Sequence, residues 1–303
     1  MFQVNCRAPA SSHRVCGLVT RALQAYAYVM NSEVRTIALR TGIQVPCLVH
    51  GHLNEISDDG SAPPLLLLHA WGESWRSFER LIASLSSQVL VAPDLRGHGR
   101  ADKPETGYSL NDVVEDVVAL LDALGIEQTH VLGSSSGGNV AQQLAITHPE
   151  FVASLILVGV PLSLHMRPPF ADEVDLLNDP ISEERVRNTL SWYRLLHEVP
   201  TSYIEDRVQD GLAIPAAVWK ASLRGLYEAA PPTDLGSLSV PTLILWGAHD
   251  HLVPRHHQET LAARIPRSQL KIYQATGHLV LWECPERVAE DTRDFLANYV
   301  RDG

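Results

Sequence analysis

Apolar positions along the chain follow two rhythms that exchange places at short intervals. Over residues 34–39 and 43–49, β-branched and apolar side chains alternate around Thr41-Gly42, a period of two that predicts an antiparallel hairpin at a sheet edge. Leu65–Leu68 is an unbroken apolar run, as expected of a strand buried on both faces of a parallel sheet, and Asp58-Asp59-Gly60-Ser61 with Pro63-Pro64 makes the turn before it. Helical spacing follows at Phe78, Leu81, Ile82 and Leu85. It returns as one stripe through Val113, Val114, Val117, Leu120, Leu121 and Leu124, with Ser109 placed to cap that helix. Strands are expected at 89–92, 130–132 and 154–158, with a helix at 139–148. A strand-helix unit repeated in this way builds a doubly wound, mostly parallel α/β sheet.

After Pro161 the rhythm breaks. Across 162–239 only helical patterns appear, at 183–196, 203–212 and 215–227, and the alternation resumes as strand 241–246, helix 255–265, strand 269–273 and helix 285–300. The expected organisation is an N-terminal extension over 1–33, an α/β core over 34–161 and 240–303, and a helical lid over 162–239 inserted between two strands of one sheet. Such an insertion lies over the carboxyl edge, where sheets of this class bind ligands.

Composition narrows the classes of partner. The 303 residues are 45% apolar, which suits a globular core, and the net charge of −11 without a local Lys/Arg cluster argues against nucleic acid and anionic membrane surfaces. The apolar runs are strand-length, far short of the roughly 20 residues a membrane span needs. Cys6, Cys16, Cys47 and Cys284 show no metal-site spacing and read as reduced thiols of a cytoplasmic protein. The first 32 residues carry Arg7, Arg14 and Arg21 and no acid, a transit-peptide trait. A start of translation at Met30, or a peripheral extension, explains that stretch better, because the strand pattern begins just after it. The expected partner is a small molecule, and nothing in the pattern specifies an oligomeric state.

The candidate chemistry sits at the carboxyl ends of the expected strands. Gly133-Ser134-Ser135-Ser136-Gly137 joins an apolar strand directly to a small-residue helix, the context of a nucleophile elbow. A serine hydroxyl is a weak nucleophile at neutral pH, so Ser135 needs a base, a group to orient that base, and donors for the developing oxyanion. The chain order of an elbow site is serine, acid, histidine. Asp250 ends the loop Gly247-Ala248-His249-Asp250 after one strand, and His278 ends Ala275-Thr276-Gly277-His278 after the next. With fourteen histidines in the chain a lone one means little; His278 stands out by its place in that order. His249, His251, His256 and His257 read as solvated neighbours without ligand geometry. The two oxyanion amides are expected from Ser136, just after the nucleophile, and from Trp71 in the loop His69-Ala70-Trp71-Gly72.

Together these segments resemble the α/β-hydrolase superfamily in its lidded serine hydrolase branch. The likeness also takes in Pro93-Asp94-Leu95-Arg96-Gly97-His98-Gly99 and Gly277-His278 followed by Trp282-Glu283-Cys284-Pro285-Glu286. It implies that Asp94 and Arg96 brace a loop. One departure is Ala70, where the family usually has glycine after the histidine, so Ala70 is expected to accept a conformation that glycine eases. The implied chemistry is acyl transfer without metal or organic cofactor, on an ester or lactone of a small, largely uncharged substrate. The same fold also hosts C–C bond hydrolases, cofactor-free perhydrolases and haloperoxidases, and ligand-sensing receptors that keep the triad. A serine elbow argues against the dehalogenase and epoxide hydrolase branches, which use aspartate. In the lid, Trp192 and Trp219 are the expected pocket residues.

Overall fold

The computed structural model describes residues 31–53, 62–163, 167–168 and 170–302. The turn expected at Asp58-Asp59-Gly60-Ser61 and the extension before Asn31 lie outside these residues. Eight strands form one sheet in the order β1-β2-β4-β3-β5-β6-β7-β8. β1 (Ser32–Ala38) and β2 (Gln44–His50) pair antiparallel as the edge hairpin, and β2 meets β4 (Leu90–Pro93) antiparallel. From there β3 (Leu65–Leu68), β5 (Thr129–Ser134), β6 (Val152–Val158), β7 (Thr242–Gly247) and β8 (Ser268–Tyr273) run parallel. β1 takes in Ser32 and Glu33, which the pattern assigned to the extension. The strand is solvent-facing at Glu33, so apolar alternation does not mark its first residues.

The sheet is buried because helices cover both faces. Period-two geometry sends Leu66, Leu68, Val131, Leu155 and Ile244 to one side, against Val114, Val117 and Leu121 of α2 (Leu110–Leu124) and Leu144 of α3 (Ser136–Thr147). Leu65, Leu67, Leu132, Ile156 and Leu245 go to the other side, against Leu81 and Ile82 of α1 (Glu79–Ser84) and Val288 of the C-terminal helix Pro285–Asp302. Each such leucine contributes on the order of 1.5–3 kcal/mol when fully buried. Ser109 caps α2 through a reciprocal box with Asp112, and Gly125 ends the helix in the left-handed conformation.

Between β6 and β7 the chain is helical: α4 (Ala171–Asp175), α5 (Glu183–Ser191), α6 (Thr201–Leu212), α7 (Ala216–Glu228) and α8 (Pro232–Leu235). Val174, Leu177, Ile214, Val218, Trp219 and Leu223 give this segment its own apolar centre, joined by Tyr108 from the sheet side. The helix expected over 183–196 ends at Ser191. After β7 come α9 (Arg255–Arg264), α10 (Val280–Glu283) and α11 (Pro285–Asp302). Among the described residues, no helix is long and apolar enough to cross a membrane.

Candidate active site

β5 ends at Ser134 and α3 begins at Ser136, so Ser135 makes the whole turn between strand and helix. Its φ of 46° and ψ of −117° make it the only non-glycine residue with positive φ among those described. Such a conformation costs on the order of 1–3 kcal/mol and persists only where the surroundings enforce it. Two contacts do so. The Ser135 amide donates to the Val158 carbonyl at 2.9 Å. Gly137 lies so close under β3 that a Cβ there would be 2.3 Å from the Leu68 carbonyl oxygen.

The loops after β7 and β8 bring the two expected partners to this turn. His278 Nε2 lies 3.2 Å from Ser135 Oγ, and His278 Nδ1 lies 2.7 Å from Asp250 Oδ2. Asp250 is itself fixed, because its Oδ1 accepts the Leu252 and Val253 amides, each at 2.9 Å. An ionised carboxylate only accepts, so Nδ1 carries the proton and Nε2 presents a lone pair to the serine hydroxyl. All three side chains meet as the sequence order requires.

The loop expected to supply the Trp71 amide is more constrained than its sequence reveals. His69 is buried, and its Nε2 accepts the Leu95 amide while Nδ1 donates to the Ala70 carbonyl. Burial pushes its pKa down to about 3, so the ring is neutral and works as a strut. Ala70 does not need the glycine conformation expected of it: the positive φ of this loop, 81°, falls at Gly72. The Trp71 amide points to the elbow, where it donates to the Ser136 hydroxyl at 2.7 Å. The Ser136 amide is in the first turn of α3, where amides have no acceptor within the helix. Asp94 accepts the Trp75 and Arg100 amides, and Arg96 forms a two-pronged pair with Asp116, so both charges brace loops.

Of the two expected pocket residues, the structure brings one to the site. Trp219 is buried, packs edge-on against Trp71 at 4.6 Å and lines a cavity beside it. Trp192 lies farther out, stacked on Phe170 at 4.5 Å with its indole directed at Glu173, and is not in that cavity's wall. The reason is local: α5 stops at Ser191, so helical spacing does not extend to Trp192.

Its neighbour Tyr193 instead lies parallel to the His278 ring, with centroids 5.4 Å apart and planes 12° apart. Burial raises the Tyr193 phenol, which stays neutral. Sequence reasoning gave no role to Glu283, yet its carboxylate accepts the Gly277 amide at 3.0 Å and the Leu196 and His197 amides at 2.8 and 2.9 Å. That one side chain ties the histidine loop to the helical segment. Its position in Trp282-Glu283-Cys284-Pro285-Glu286 was the available signal. Among the described residues, no group of three or more His, Cys, Asp or Glu side chains could hold a metal ion. Cys47 and Cys284 are free thiols.

Residues 63–285 match the family described as having the alpha/beta hydrolase fold. The chain belongs to that family. A 2-hydroxymuconate semialdehyde hydrolase from Pseudomonas putida is 31% identical over 276 residues, covering 82% of this chain and 92% of the relative. A pimeloyl-[acyl-carrier protein] methyl ester esterase from Aeromonas hydrophila is 29% identical over 249 residues, covering 78% and 96%. Among solved structures, a thermophilic esterase from Thermogutta terrifontis superposes with a TM-score of 0.71 at 26% identity, covering 88% of this chain and 99% of that one. This hydrolase therefore has relatives named for a semialdehyde and for a methyl ester.

Proposed function

We propose that this protein is a serine hydrolase that cleaves an ester or lactone of a small, largely uncharged substrate through an acyl-enzyme on Ser135. One observation carries the reading: Ser135 Oγ, on a strained turn, faces a histidine nitrogen at 3.2 Å whose other nitrogen is held by Asp250 at 2.7 Å. In this reading His278 Nε2 takes the hydroxyl proton as Ser135 attacks the carbonyl carbon, and Asp250 stabilises the imidazolium that forms. The Trp71 and Ser136 amides hold the oxyanion. The leaving alcohol receives the proton from Nε2, and a water activated by the same nitrogen releases the acid. The helical segment between β6 and β7 acts as a lid, with Trp219 and Tyr193 closing over the reacting groups.

The reading is tested by stopped-flow turnover of p-nitrophenyl esters and a lactone panel. A burst of p-nitrophenol equal to the enzyme concentration, followed by steady turnover and absent in Ser135→Ala, is the expected result. A second reading, a C–C bond hydrolase, has its own support, since the 31% identical relative is a 2-hydroxymuconate semialdehyde hydrolase. Cleavage of a vinylogous diketone acid, with no turnover of any ester or lactone, would replace the first reading by this one.

A further inference from the structure

A cavity of about 20 Å3 lies against the oxyanion loop and the base, sharing Trp71 with the first and Tyr193 with the second. Two of its walls are ionisable side chains that are almost wholly buried: Glu73 is 9% exposed and Arg207 2%. Neither is satisfied. Glu73 Oε2 and both Arg207 terminal nitrogens, Nη1 and Nη2, have no hydrogen-bond partner. Arg207 is held in place, with Nε donating to Asp210 at 2.8 Å and its guanidinium 4.9 Å from the centre of the Tyr203 ring. Unpaired buried groups of this kind are expensive to maintain unless something fills the gap between them.

We propose that Glu73 and Arg207 form a subsite for a neutral hydroxyl group of the substrate, one that donates to Glu73 Oε2 and accepts from Arg207. The proposal rests on Ser135 being the nucleophile and names the substrate class more narrowly: hydroxylated esters or lactones. Three observations select a hydroxyl. The orphaned atoms are an acceptor on one side and donors on the other, so the missing group must both donate and accept. The space suits a water-sized group. Asp210 already neutralises Arg207, so a ligand carboxylate would add a second negative group to a guanidinium already paired. Because Trp71 and Tyr193 border both the cavity and the reacting groups, the hydroxyl stands a short chain away from the scissile carbonyl.

The test compares kcat/KM within matched pairs, methyl 3-hydroxybutyrate against methyl butyrate and 2-hydroxyethyl butyrate against propyl butyrate, with monomethyl succinate as the anionic control. The wild-type protein is expected to favour the hydroxylated member of at least one pair by about tenfold or more, since a site built to bond a hydroxyl discriminates against its absence. That preference is expected to fall towards one in Arg207→Met and to shrink in the near-isosteric Glu73→Gln. A wild-type ratio near one in both pairs, with the esters still turned over, overturns the subsite alone and leaves only a structural water in the cavity. Preference for monomethyl succinate overturns the neutral-group assignment. Failure to turn over any ester here or any lactone of the panel above overturns the ester-or-lactone reading, and the subsite with it.

Discussion

The Trp71 amide donates to the Ser136 hydroxyl at 2.7 Å. An oxyanion held by that amide must displace this bond, which is worth about 0.5–1.5 kcal/mol net. Ser136→Ala removes the competitor and is expected to raise kcat/KM several-fold while lowering stability by about 1 kcal/mol, measured by steady-state kinetics and urea unfolding. A loss of a hundredfold or more would mean instead that the hydroxyl itself donates to the oxyanion.

Asp250→Asn is expected to leave the fold intact and cut kcat by about 10³–10⁴-fold. The Leu252 and Val253 amides would draw the asparagine oxygen to themselves, turning its NH2 towards His278 Nδ1. The imidazole would then carry its proton on Nε2, facing Ser135 with nothing to accept. Circular dichroism checks the fold and pre-steady-state kinetics the loss.

Glu283→Ala strips the acceptor from three amides at once, those of Gly277, Leu196 and His197. Buried polar groups left unpaired cost about 1–3 kcal/mol each, so urea unfolding should show a loss of at least about 2 kcal/mol. Because the histidine loop and the helical segment between β6 and β7 are tied by this carboxylate, kcat should fall as well. A variant as stable as the wild type would show that the clamp is dispensable.

Much of the architecture was legible because burial leaves direct traces in sequence. Leu65–Leu68 reads as a two-sided strand because all four side chains are enclosed, and Leu110–Leu124 matches because stripe and cap agree. The site was legible for a similar reason: strand, glycine and acid or histidine recur at successive strand ends. What did not show depends on contacts between distant residues. The helix expected through Leu196 stops at Ser191, and the Leu196 and His197 amides are taken by Glu283, 87 and 86 positions away. Because the helix has ended, helical spacing does not separate Trp192, stacked on Phe170, from Tyr193, stacked on His278. Helices α4, α8 and α10 have only five, four and four residues, too short for periodicity to register. The meeting of Glu73 and Arg207 at one cavity brings the loop after β3 to α6 and has no local signature.

Acid should destabilise the fold through its buried histidines. Burial holds His69 at about 3 and His98 and His130 at about 4, whereas an unfolded imidazole titrates near about 6.5. Between pH 6.5 and 4 the unfolded chain binds these protons and the folded chain does not, so stability falls with falling pH in that window. Asp94 works the other way. Burial raises it to about 6, so the folded chain gains a proton that an unfolded aspartate takes only near about pH 4, offsetting one histidine, and the raised Glu73 adds to the same side. Comparing urea midpoints at pH 7 and 5, His98→Gln should lose less stability than the wild type, by up to about 1.4 kcal/mol per pH unit. An unchanged difference would contradict the assignment of His98 as a buried neutral ring.

The most direct measurement is the intact mass of the protein after treatment with a fluorophosphonate. One adduct per chain, mapped to Ser135 and absent from folded Ser135→Ala, is the predicted result. A folded wild-type protein that takes no adduct, or a Ser135→Ala variant that still takes one, would contradict the account.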